Sequence, residues 1–234
     1  MSPEILPKLF MLFVILCIFL VYSGMRKVVS GSEDIKLRNT PNYFLIIAMA
    51  WTSILYILTF FGVLSDFSTM PPKFMFVGVV PMITILYFVF SKRAVKLLQV
   101  IPHSWLVNIQ SFRIIVELLL WWMYIEFLLP ERMTFEGFNF DIIAGLTAPF
   151  AAYLFFKKGA INKTAGIIWN LAGLALLINI VSIAILSLPT PFQVFTGEPS
   201  SAVVSIFPYV LLPGVLVPLA YSMHFLSIRK LLNK

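Results

Sequence analysis

The chain has 234 residues, of which 60% are hydrophobic and 12% charged, against about 25% charged in an ordinary soluble domain. Its mean hydropathy is +0.97, more apolar surface than a globular protein of this size can hide, so the expected solvent is lipid. The net charge of +7 sits in short stretches between apolar runs, which excludes nucleic acid as the expected partner and reads instead as a topology signal.

Seven apolar segments follow in order, at roughly 5–24, 43–64, 72–91, 107–129, 140–157, 164–187 and 202–226, each near the ~20 residues that cross ~30 Å of hydrocarbon. The fold class is therefore all-α: a polytopic transmembrane bundle of seven helices in a single domain, residues 1–234. The first segment resembles a signal peptide in position. Its flanks argue against cleavage: Lys8 and Glu4 precede it, while Arg26 and Lys27 follow it, the charge order of a retained first helix. Cys17, the single cysteine, lies in this segment and excludes an internal disulfide or a cysteine metal cluster.

The connecting loops sort by charge. Arg26, Lys27, Lys36 and Arg38 lie in the first, Lys92, Arg93 and Lys96 in the third, Lys157, Lys158 and Lys163 in the fifth, and Arg229, Lys230 and Lys234 in the tail. The alternate loops and the N-terminus hold Lys8, Lys73 and Arg132. The positive-inside rule then puts the N-terminus outside and the C-terminus in the cytoplasm. Asp66, Glu131, Glu136 and Glu198 fall in the outer loops.

The fourth segment carries the stretch "RIIVELLLWWMYIE". At 100° per residue Gln110, Arg113, Glu117, Trp121 and Tyr124 share one helix face. Arg113 lies about 9 Å and Glu117 about 15 Å from the cytoplasmic end at ~1.5 Å per residue. Arg113 can snorkel, whereas Glu117 must be paired with Arg113, hydrogen-bonded by a neighbouring helix, or protonated. Two readings stay open: a buried ion pair that orients helices, or a ligand, ion or proton site. The sixth segment adds Asn170 and Asn179, nine residues apart and so on opposite faces, together with Gly166 and Gly173. Pro208, Pro213 and Pro218 in the last segment each free a carbonyl one turn back, which predicts a bent or broken helix.

Outside the membrane, Glu126, Glu136 and Asp141 are expected at an acidic outer rim, with Asn139 or Asp141 capping the fifth helix. The stretch "LSLPTPFQVFTGEPSS" is suited to a lid over it. His103 and His224 are expected at the inner membrane surface. Two histidines make no metal or haem site, and neither a phosphate-binding glycine loop nor a GxSxG elbow occurs, so no cofactor or metal is expected.

The stretches "IPHSWLVNIQSFRIIVE", "FDIIAGLTAPFAAYLFF", "IIWNLAGLALLINIV", "LPTPFQ" and "FPYVLLPGVLVPLAYSMH" resemble uncharacterised integral membrane proteins of bacteria. The resemblance covers roughly residues 100–228. It implies a seven-helix body in the bacterial inner membrane and carries no activity. The residues themselves point to a polar intramembrane pocket lined by Gln110, Arg113, Glu117, Trp121, Tyr124, Asn170 and Asn179 that binds a small-molecule or lipid ligand for sensing or transport. The alternatives are an enzyme acting on a lipid or isoprenoid through the rim carboxylates, and a structural or partner-binding subunit.

Overall fold

The computed structural model describes residues 5–157 and 160–233; Glu4, Lys158 and Lys234 of the charge pattern lie outside them. Helix α1 (Ile5–Val29) buries Leu6, Phe10, Val14, Cys17, Val21, Met25 and Val29. These recur every three or four residues and form one seam, while Leu12, Ile15 and Phe19 face outward. The short α2 (Ile35–Arg38) is capped by the Asp34 carboxylate, which accepts from the Lys36 and Leu37 N–H groups. It leads into α3 (Thr40–Phe60), whose middle buries Leu55 and otherwise offers apolar side chains to its surroundings.

Helix α4 (Met75–Phe90) is followed after Ser91 by α5 (Lys92–Val100), bent away by 72°. The Ser91 hydroxyl accepts from the Ala94 N–H at 3.1 Å, so the bend is an N-cap and starts a new helix. Helix α5 buries Ala94, Leu97 and Leu98. Then come α6 (His103–Asn108), a 3-10 turn (Ile109–Ser111) and α7 (Phe112–Ile125). Helix α8 (Ile142–Phe155) is joined to α9 (Lys163–Ser187) across a two-residue antiparallel bridge that pairs Phe156 with Ile161. A 3-10 turn (Ser201–Ser205) and a π-helical turn (Leu212–Leu216) precede α10 (Val217–Leu232). Nine of the 16 residues of α10 are buried, and it packs on α9, α4 and α6, so it forms the axis of the bundle.

The architecture is all-α. Among the described residues five helical stretches are long and apolar enough to cross a membrane: Ile5–Val29, Ile35–Phe60, His103–Ile125, Lys163–Ser187 and Leu212–Leu232. The bent pair α4–α5 makes a sixth if taken as one span. Helix α8 has 14 residues, about 21 Å at ~1.5 Å per residue, which is short of a full crossing.

Contacts gather the loops at two ends. At one end Lys96 bonds Asp34 at 2.6 Å, Lys230 donates to the Leu98 carbonyl, and His103 stacks on Phe156 with ring centres 5.4 Å apart. This is the end of the basic loops. At the other, Ser65 and Ser205 share a hydrogen bond of 3.1 Å, and Arg132 donates to the Thr196 carbonyl at 3.0 Å.

The last segment, expected at 202–226, becomes continuous helix only from Leu212 and runs to Leu232. Proline can open a helix but cannot continue one: Pro208 precedes the start, and Pro213 sits in the first turn. Within it, the residue that would donate to the Gly214 carbonyl in a regular helix is Pro218, which has no N–H. The indole of Trp51 on α3 donates to that carbonyl instead, at 2.8 Å. Trp51→Phe, which removes this donor, is expected to destabilise the protein by about 1 kcal/mol, read as a lower thermal midpoint in detergent. Pro218→Ala restores the backbone donor and should make Trp51→Phe nearly silent.

Candidate functional site

The polar residues of α7 face inward. Arg113 and Glu117 are each 1% exposed. They do not pair with each other. Arg113 makes a two-pronged bond to Asp141 at the start of α8, with Nε donating to Oδ2 at 2.6 Å and Nη2 to Oδ1. Its Nη2 also reaches the Gly173 carbonyl on α9 at 3.5 Å. Its Nη1 lies 3.0 Å from His224 Nε2 on α10. One guanidinium thus joins four elements, with its planar fork matched to the carboxylate.

The neighbours settle the histidine's proton. Asn170 Nδ2 donates to the Gly166 carbonyl at 2.7 Å and to Ser227 Oγ at 2.9 Å. Its Oδ1 is therefore the atom facing His224 Nδ1, 2.9 Å away. Nδ1 carries the proton, and Nε2 accepts from Arg113. His224 has room because Gly173 lacks a side chain: a Cβ there would lie 2.4 Å from the ring.

Glu117 is held separately. The side-chain amide of Asn139 donates to its two oxygens at 2.8 and 2.7 Å and to the Met133 carbonyl at 3.1 Å. Asn139 Oδ1 accepts from the Asp141 N–H at 3.0 Å. The loop between α7 and α8 therefore enters the bundle and delivers two polar side chains to α7.

Beside Glu117 lies a cleft of about 440 Å³. Met75, Gly78 and Met82 of α4 form one wall, Leu177, Ile180 and Ala184 of α9 the other. Glu117, Asp141 and Tyr221 stand among apolar lining residues. Lining residues Val79, Ile83 and Ile185 are exposed at the bundle surface, so the cleft opens sideways between α4 and α9. Leu188, Thr190 and Phe192, from the stretch read as a lid, reach its edge.

Several expectations change place. Asp141 is not at the rim and does not cap α8; it is 4% exposed, forms no capping bond, and its carboxylate is spent on Arg113. Glu126 and Glu136 do remain outside the network: Glu126 accepts from the Trp122 indole at 3.1 Å, and Glu136 is exposed. Gln110 is buried and donates to the Ala220 carbonyl at 3.1 Å. Trp121 stacks on Phe135 with ring centres 6.0 Å apart, and Tyr124 is half-buried. Asn170 belongs to the histidine network and not to the cleft wall. Asn179 is half-buried and donates to the Phe138 carbonyl at 2.8 Å, so the two asparagines do serve different neighbours. His224, expected at the membrane surface, is fully buried. The cavity itself is apolar with a polar end, because Arg113, Asp141, His224 and Asn170 bond one another.

Removing one partner of a buried ion pair strands the other charge, at a cost of about 3–5 kcal/mol. Asp141→Leu and Arg113→Met are each expected to lower thermal stability in detergent by that order. The double variant should lose much less than the sum, and a strictly additive cycle would refute the pairing.

No curated protein and no solved structure matches the chain. A family model described as a domain of unknown function (DUF8737) matches residues 71–232, which take in α4 to α10, the buried network and the whole cleft. The chain belongs to that family.

Proposed function

We propose that the protein is a bacterial inner-membrane protein with seven crossings, its N-terminus outside and its C-terminus cytoplasmic, that takes a long-chain ligand from the bilayer for sensing or transport. The topology reading rests on the loop charges and on the gathering of the basic loops at one end. In it α4 and α8 are short legs, the first completed by α5 lying along the cytoplasmic surface.

The observation that carries the ligand reading is the sideways-opening cleft with Glu117 at its polar end. Its apolar walls suit a hydrocarbon chain, and ligand sites are commonly apolar with a few orienting polar groups. Glu117 supplies the orienting group. Its two oxygens receive one amide from Asn139, which leaves acceptor capacity for a head that donates, such as a hydroxyl or an ammonium. Asp141 serves less well, because the Arg113 guanidinium bonds both of its oxygens and neutralises its charge. Any acid–base chemistry on a lipid at this cleft would likewise fall to Glu117, since Glu126 and Glu136 do not line it.

Gly78 gives a clean test, because a Cβ there meets nothing within 4 Å while the residue lines the cleft. Gly78→Phe should fold normally and reduce the lipid retained through purification, or the binding of hexadecylamine and hexadecanol, by tenfold or more. Unchanged binding would eliminate the cleft as the site. Glu117→Gln keeps the shape and removes the charge. It should weaken hexadecylamine by at least tenfold, about 1.4 kcal/mol, and hexadecanol by less.

A further inference from the structure

A second hollow lies at the basic end of the bundle, between the last turn of α1 and the start of α3. It encloses about 270 Å³, and Arg26, Ser30, Arg38, Asn39 and Asn42 supply its polar lining. It lies in the part of the chain that precedes the family match. Both helical stretches that frame it, Ile5–Val29 and Ile35–Phe60, are long and apolar enough to cross a membrane, so the hollow sits at headgroup depth.

The hollow is rich in unused donors. Neither Arg26 nor Arg38 has a carboxylate partner among the described residues. Arg26 instead donates to the Tyr22 hydroxyl at 2.5 Å, which orients a guanidinium and does not neutralise it. Asn39, at the N-cap of α3, makes no capping bond. Asn42 accepts from Tyr22 at 3.4 Å through its Oδ1, which leaves its amide N–H groups. Ser30 spends its hydroxyl proton on the Lys27 carbonyl at 3.1 Å and adds no donor.

The nearby acid is diverted. Asp34 does not line the hollow. It is paired with Lys96 at 2.6 Å and caps α2. The Lys96 hydrogen bond, ahead of the Leu37 N–H, holds its carboxyl below the ordinary range. On α5, Arg93 lies 4.9 Å over the ring of Tyr43 and does not line the hollow. A concave set of two guanidiniums and two amides, with no acid on its wall, is the arrangement that recognises a phosphate group. Basic hollows between helices at a membrane surface take lipid headgroups in this way.

We propose that this hollow binds a phosphate group, carried by an anionic membrane lipid or by a soluble phosphate compound. The lipid source follows from its depth, since the glycerophosphate of a lipid lies level with the ends of α1 and α3 while its chains run along their exposed apolar faces. The site is separate from the cleft at Glu117, with which it shares no lining residue.

The test uses the full-length protein in nanodiscs of phosphatidylcholine mixed with phosphatidic acid, released and weighed by native mass spectrometry. Wild type should retain phosphatidic acid in preference to phosphatidylcholine. The double variant R26Q/R38Q should lose that preference at least tenfold. The comparison variant K27Q/K36Q removes the same charge from exposed lysines that do not line the hollow and should keep it. A second arm adds glycerol phosphate to protein in detergent. Binding there that depends on Arg26 and Arg38, without retained phosphatidic acid, upholds the phosphate site and assigns it a soluble source. Equal losses in the two double variants would reduce the effect to general surface charge and overturn the proposal, as would wild type that binds neither probe.

Discussion

The bond between Arg113 and Asp141 is the constraint on which the interior depends. Two charges in an apolar bundle are tolerable only when each is satisfied nearly completely. Arg113 meets that condition by reaching Asp141, the Gly173 carbonyl and His224 at once. Doing so fixes α7, the entry to α8, α9 and α10 relative to one another. Leucine-on-leucine packing would not do this, because apolar contacts between helices in lipid are nearly exchangeable for contacts with lipid tails. Directional bonds set the register that apolar surface leaves loose.

That register then determines what else the bundle needs. His224 can stand beside Arg113 only because Gly173 leaves space for its ring. Its other nitrogen must find an acceptor, which Asn170 provides, and Asn170 in turn finds Ser227 and the Gly166 carbonyl. Each step answers a cost created by the one before, since a buried polar group without a partner is expensive. The last helix repeats the logic at its start. Pro218 takes a donor away from the Gly214 carbonyl, and Trp51 from α3 returns one. This ties the otherwise lightly packed α3 to the axis of the bundle.

Much of this was legible in the residue order, and the parts that were not share a cause. Spacing alone puts Gln110, Arg113 and Glu117 on one face, and these three are buried. The seam of α9, through Gly166, Asn170, Gly173, Leu177 and Ile180, follows the same helical rule. Partners across helices were not legible. Asp141 sits beyond an irregular loop, and no periodicity states how far that loop turns inward, so capping was the natural local reading of an acid at a helix start. His224 was misplaced for a different reason. A last helix counted over 202–226 leaves it near the cytoplasmic surface, whereas the helix starts at Leu212 and runs to Leu232, which places the histidine mid-helix. The apolar character of the cleft was hidden because polar residues were expected to line a cavity, and here they bond to each other.

The two acids nearest the cleft show how this division makes a site. Asp141 and Glu117 both touch the cavity, yet their chemistry differs through their partners. Asp141 is closed, with both oxygens bound to a cation. Glu117 faces a neutral amide, which bonds both oxygens but brings no countercharge. Asn139 is responsible for the contrast: its amide holds Glu117 while its oxygen holds the Asp141 backbone, so the loop that satisfies one carboxylate through Arg113 leaves the other responsive. A network complete at its centre and open at one edge combines rigidity with reactivity, since the closed part holds the open group in place against the apolar wall.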